Sequence, residues 1–224
     1  MSRVNYQKVA NRLTRDRLAS YLNATGGSLG YAIDLYDWNT LAGGALHEDL
    51  GRLEVVFRNA IDNALIRHGR DQGWQTTWYR RTELFPGQLA SRARVDVDRA
   101  RQRATQGGRH PEVHGKVIAE LGFGFWRYLC EPPYHTSLWV PALTAAFPLH
   151  PSTPNTRRVR AEVADRMQRL HFLRNRIAHH EPIHRRDLAR DHAQLLEVVG
   201  WICSDSRTWV AARSRTPSVL AARP

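Results

Sequence analysis

The chain of 224 residues has little cysteine, little lysine and no long apolar runs, and each shortage excludes something. Two cysteines, Cys130 and Cys203, are too few for a disulfide framework and lack metal-ligand spacing. A secreted, disulfide-stapled domain is therefore excluded, and the cytoplasm is the expected location. No apolar run approaches the ~18 residues of a membrane span, so no membrane partner is expected. From Met1 to Leu22, Arg3, Lys8, Arg12, Arg15 and Arg17 interrupt the apolar positions, and no secretory signal is read there. Alternating strand patterns of useful length, internal repeats and glycine-rich phosphate loops are also missing. Their absence removes ATPase and dinucleotide-binding readings.

What is abundant is arginine. The formal net charge is +12, from 33 basic against 21 acidic residues, and only Lys8 and Lys116 are lysines. A GC-rich genome exchanges lysine for arginine, but codon bias does not by itself create an excess of positive charge. That excess points to a polyanionic partner, nucleic acid above all.

Apolar residues recur at three- and four-residue intervals almost throughout, which predicts an all-α fold: one helical domain over residues 1–204 and a poorly ordered basic tail over 205–224. A first helix carrying Leu13, Leu18, Tyr21 and Leu22 should end at Gly26-Gly27, with Ser28 capping the next. That second helix, Leu29 to His68, is expected to be interrupted or kinked near Gly43-Gly44 and stopped by Gly69. A highly charged helix follows over Gln88 to Thr105, then shorter ones over Val113 to Ala119, Phe123 to Cys130 and Ser137 to Ala145. Val159, Val163, Met167, Leu170, Leu173 and Ile177 mark a long helix, capped by Asn155 or Thr156 and ended by Pro182 near Glu181. A last helix spans about Asp187 to Cys203.

Two incompatible enzymes can be read from Leu173 to His184. His180-Glu181-x-x-His184 is the zinc-protease spacing, which needs both histidines on one helical face. Pro182 lies inside it and costs a helix interior ~3 kcal/mol, so no metal is assigned. The other reading is R-N-x-x-x-H: Arg174, Asn175 and His179, with His180 adjacent. An imidazole can move the proton of a ribose 2′-OH or of the leaving 5′-oxygen, and a guanidinium can hold the phosphate. This chemistry needs no cofactor. Asn175 is four residues before His179, so the amide is expected to orient that ring, whereas Arg174 is rotated by roughly 140°. One copy makes a poor pocket; two copies across a dimer axis would bring the groups together.

Further segments then matter: Leu35-Tyr36-Asp37-Trp38-Asn39, Leu53 to Ile61, Gly122-Phe123-Gly124-Phe125-Trp126, Leu138-Trp139 and Ala146-Phe147-Pro148. With Arg174 to Glu181 they resemble the Abi-like (abortive infection) family of the HEPN superfamily, over roughly Leu18 to Ile202. The resemblance implies a HEPN-like helical bundle with additional helices. It further implies a homodimer that cleaves RNA without metal, in phage defence or a toxin–antitoxin system, with an antitoxin protein as a further partner. Carried over, Arg174, Asn175, His179 and His180 are catalytic, while Glu54, Arg58, Asn59 and Arg176 bind substrate. Glu54 and Arg58 are also spaced as an i, i+4 ion pair. Asn39 is expected to cap a helix junction, and Trp126, Trp139 and Phe147 to lie in the core. The alternative function is a non-catalytic nucleic-acid-binding or regulatory module.

Overall fold

The computed structural model describes residues 4–224, and no strand occurs among them. The fold is all-α, as the spacing of apolar residues predicts. In chain order the helices are α1 (Tyr6–Leu13), α2 (Arg15–Ala24), α3 (Leu29–Asp71), α4 (Leu89–Ala104), α5 (His114–Glu120) and α6 (Phe123–Tyr128). They continue as α7 (Thr156–Ala178), α8 (Leu188–Ile202), α9 (Ser204–Arg213) and α10 (Thr216–Ala221). Where one helix is expected over Ser137 to Ala145, the chain makes a π turn at His135–Trp139 and a 3-10 turn at Leu143–Ala146. Pro141, between them, has no amide hydrogen to donate and its ring blocks a regular helix.

Helix α3, 43 residues and about 65 Å long at 1.5 Å per residue, is the axis of the core. Its buried stripe of Leu46, Leu50, Leu53, Phe57, Ile61 and Leu65 faces α7 and α8. These contribute Val163, Met167 and Leu170, and Leu195, Val198 and Val199. Trp139 and Phe147 stack at 5.5 Å, and Phe57 meets Phe147 at 5.9 Å. With Trp126 they are fully buried, as expected of core aromatics.

The expected break at Gly43-Gly44 does not occur. Each glycine costs a helix interior about 1 kcal/mol relative to alanine. Gly43, however, is where Ile177 of α7 and Ile183 close on α3, and a Cβ there would meet them at 3.8 and 3.9 Å. Packing against a neighbouring helix end overrides the local preference. Gly69 does not stop α3 either. A Cβ on it would lie 2.6 Å from the Trp74 ring, so glycine makes room for the chain to fold back. The helix ends at Asp71, and Gly73 follows in the left-handed region at φ +66°.

The C-terminal residues depart most from expectation. Instead of a poorly ordered tail over 205–224, α9 packs on α8, and α10 on α3 and α8. Val210 and Thr216 are buried, and the Trp38 indole donates to the Val219 carbonyl at 2.8 Å. Asp49, fully buried on α3, anchors the segment by accepting hydrogen bonds from Ser214 Oγ, Thr216 Oγ1 and Arg52 Nη1. The composition of the tail hides this because its partners lie up to 167 positions earlier in the chain.

Candidate functional site

Helix α7 begins where Asn155 Oδ1 accepts from the Arg158 amide at 3.1 Å, and it ends at Ala178, before the expected stop near Glu181. The amides of His179, His180 and Glu181 turn back onto the carbonyls of Asn175, Ile177 and Arg176 at 2.9, 3.0 and 2.8 Å. This is the Schellman pairing, with His180 in the left-handed position at φ +55°, a place usually held by glycine. A side chain there costs roughly 1–2 kcal/mol. Neighbours over-determine the turn. Arg17 of α2 donates to the His180 carbonyl, and Arg176 Nη2 donates to the Pro182 carbonyl at 2.7 Å. Asn39 Oδ1, buried on α3, accepts from the amides of Ile183 and His184 at 2.7 and 3.0 Å, so it caps a junction as expected. Such strain persists only where surrounding structure enforces it, and it clusters at functional sites.

The turn sends the motif in three directions. Asn175 Nδ2 donates to His171 Nε2 at 3.3 Å, and that ring stacks on Phe123 of α6 at 5.5 Å. Burial lowers the His171 pKa, and the guanidiniums of Arg127 and Arg174 lower it further. The amide therefore orients His171, one turn earlier, rather than His179; Asn175 gives His179 only a backbone carbonyl. His179 is exposed, Arg174 is half-buried, and neither side chain bonds to any described residue. His180 instead lines a cavity of about 630 Å³, with Arg17, Tyr36, His47, Ile177 and Glu181. Arg174, Asn175 and His179 do not line it.

Of the residues assigned to substrate binding, Glu54, Arg58 and Asn59 are not brought to this turn, and Arg176 is used up within it. Arg176 is committed to the Pro182 carbonyl and to Glu181, 3.6 Å away. Glu54 and Asn59 lie roughly 16 and 24 Å farther along α3 than Gly43, at 1.5 Å per residue. Glu54 and Arg58 form no ion pair with each other among the described residues, and the half-buried Arg58 has its Nε without a hydrogen-bond partner. Asn59 is exposed.

The zinc spacing is not helical, because the chain leaves the helix before His180 and Pro182 keeps it extended. His184 is buried, shares a 2.8 Å hydrogen bond with Ser20 Oγ, and stacks on Tyr21 at 4.7 Å. It thus faces different surroundings from His180. On the charged helix α4, much of the charge is used within the fold. Arg101 pairs with Glu112 and Asp98, Arg103 pairs with Glu120, and Arg92 lies over the Tyr128 ring.

No family model, curated protein or solved structure matches this chain. Three residues at the site are absent from the sequence-based assignment: His171, Arg17 and His47. His171 has a local signal, since it lies four residues before Asn175 on the same helix and neighbours at that spacing share a face. Arg17 and His47 have none, being 163 and 133 positions away from His180.

Proposed function

We propose that the protein is a metal-independent endoribonuclease of HEPN type, acting at the C-terminal end of α7 as an effector of phage defence or of a toxin–antitoxin system. The observation that carries this reading is the constrained turn after Ala178, which presents His179 and His180 on the surface with their rings bonded to no described residue, and lines a cavity with His180 and the guanidinium of Arg17. Imidazoles with no structural task, next to cations on a strongly basic chain, suit proton transfer at a ribose phosphate. The 2′-oxygen attacks phosphorus, the bond to the 5′-oxygen breaks, and a 2′,3′-cyclic phosphate and a 5′-hydroxyl result.

RNA is the proposed substrate, a second copy of the chain and an antitoxin protein the proposed partners, and the cytoplasm the proposed site of action. Phe172 is 55 % exposed on α7, the helix whose end carries the proposed site. At 100° per residue it lies within roughly 20° of His179 and about 160° from Arg174, so it shares a face with His179 and not with the arginine. No helix of the described residues is long and apolar enough to cross a membrane.

Expression of the wild type should arrest growth and fragment RNA, and purified protein should cut RNA in EDTA, leaving cyclic-phosphate ends. Cleavage abolished by EDTA and restored by a divalent metal would refute metal independence. Intact RNA with wild-type protein, together with RNA binding, would instead select the non-catalytic module.

A further inference from the structure

We infer that His47 and His180 are the acid–base pair of a pocket contained within one subunit, with Arg17 as its phosphate ligand. This deepens the ribonuclease reading and rests on it. Transesterification needs two proton carriers, one to accept the 2′-OH proton and one to supply the 5′-oxygen, and the R-N-x-x-x-H motif offers its histidines from a single helix end. The cavity beside α3 supplies the second from another element. His47, in the middle of α3, and His180, in the left-handed position after α7, line the same 630 Å³ space. Both residues are exposed, and neither ring is hydrogen-bonded to a described residue.

The remaining groups fit a ribonucleotide. Arg17 uses one N–H on the His180 carbonyl, and its guanidinium has further donors for phosphate oxygens. Tyr36 of α3 and Glu181 of the turn are the other titratable groups facing the space. Glu181 already lies 3.6 Å from Arg176, so its carboxylate has a cation of its own, and Arg17 is the other charged group of the lining besides the histidines. Gly43 and Gly44 form part of the wall, and a Cβ on Gly44 would meet no atom within 4 Å. The volume falls within the ~300–1,000 Å³ of small-ligand sites.

In the reaction, one neutral imidazole takes the 2′-OH proton as the 2′-oxygen bonds to phosphorus. The other, protonated, gives its proton to the 5′-oxygen as that bond breaks. The pair ends with its protonation states exchanged, and no oxidant, reductant or metal is consumed. Arg17 neutralises the charge that builds on the non-bridging oxygens.

The test compares wild type with His47→Gln and Gly44→Leu on a defined RNA, with circular dichroism to confirm folding and a fully 2′-O-methylated RNA oligonucleotide to measure binding without cleavage. His47→Gln should cut ~10² to 10⁴ more slowly while binding the methylated RNA as wild type does. It should also turn a two-sided pH–rate profile into a one-sided one, which loss of a structural contact would not do. Gly44→Leu places its side chain in the cavity and raises helix propensity, so it should remain folded yet fail to cut. Wild-type rates and an unchanged profile in both variants would overturn the inference and leave the ribonuclease reading with His179 and Arg174. A wild-type protein that cuts no RNA would overturn the ribonuclease reading, and this inference with it.

Discussion

Two groups that include histidine meet α3 within two residues of each other, on opposite faces, and they are finished differently. Asp49, with Ser214, Thr216 and His192, forms a buried group in which the carboxylate accepts from both hydroxyls and from Arg52, while Ser214 Oγ also meets His192 Nε2 at 3.0 Å. The residue types are those of a serine hydrolase, but the geometry is not. Ser214 and Asp49 approach the same nitrogen of His192, at 3.0 and 3.5 Å, whereas a nucleophilic triad needs one on each nitrogen. Two residues earlier, His47 looks into an open cavity with no partner among the described residues. Polar groups that satisfy one another hold a fold together; groups held in place and left unsatisfied are available to a ligand.

The contrast is sharpest at His180. His180→Gly should reduce cleavage by ~10² to 10⁴, the usual loss for a general acid or base. Because glycine suits the left-handed position, the same substitution should stabilise the fold by about 1 kcal/mol in denaturant titration. A destabilised His180→Gly protein would show that the ring supports the turn rather than serving substrate.

Asp49→Ala should do the reverse. It removes the acceptor shared by the part-buried Arg52 and two hydroxyls, so unfolding should cost about 1–3 kcal/mol less. Protease should then release α10 before the core opens, and unchanged resistance to proteolysis would break the comparison from the structural side.

A third, smaller effect is pH dependence. Burial lowers the pKa of His150, His171, His184 and His192, with Asp49 partly opposing the shift at His192. A folded-state value below the unfolded one, ordinarily about 6.5, means that the unfolded chain binds more protons in the window between them. The stability is therefore fully present above that value and is lost as pH falls through the folded values. Thermal melts from pH 7.5 to 5 should show a falling midpoint, and His192→Gln should flatten the slope. A midpoint that rises on acidification would contradict these burials.

The smallest expected effect is at Asn59. It is exposed and far along α3 from the cavity, so Asn59→Ala should leave stability within about 0.5 kcal/mol and cleavage unchanged. A large loss of RNA cleavage would move the substrate path toward Glu54, Arg58 and Asn59.

Much of the fold was legible because its signals are local. The α7 stripe from Val159 to Leu173 is buried as its spacing predicts, and Asn155 and Asp187 cap the helices that follow them. Local pattern and structure part where distant residues intervene. Gly43 passes as a helix breaker until Ile177 and Ile183 are seen against it, and residues 205–224 pass as a loose tail until Asp49 is seen beneath them. At the site, Pro182 correctly signalled that the zinc spacing is not helical, but spacing paired Asn175 with His179 when its side chain turns back to His171. Both partners lie one helical turn from Asn175, and only the Phe123 ring on α6 favours one of them.

By itself, the sequence determined an all-α chain of strongly basic character, the approximate positions of α3 to α8, and a concentration of arginine and histidine at the end of α7. Periodicity, capping and proline act over a few residues, and charge is a sum that needs no geometry. Only the tertiary structure decided that Arg174, His179 and His180 would diverge, that His180 would share a cavity with Arg17 and His47, and that the C-terminal segment would be ordered. These outcomes depend on which helices meet, and packing joins residues that no local pattern relates.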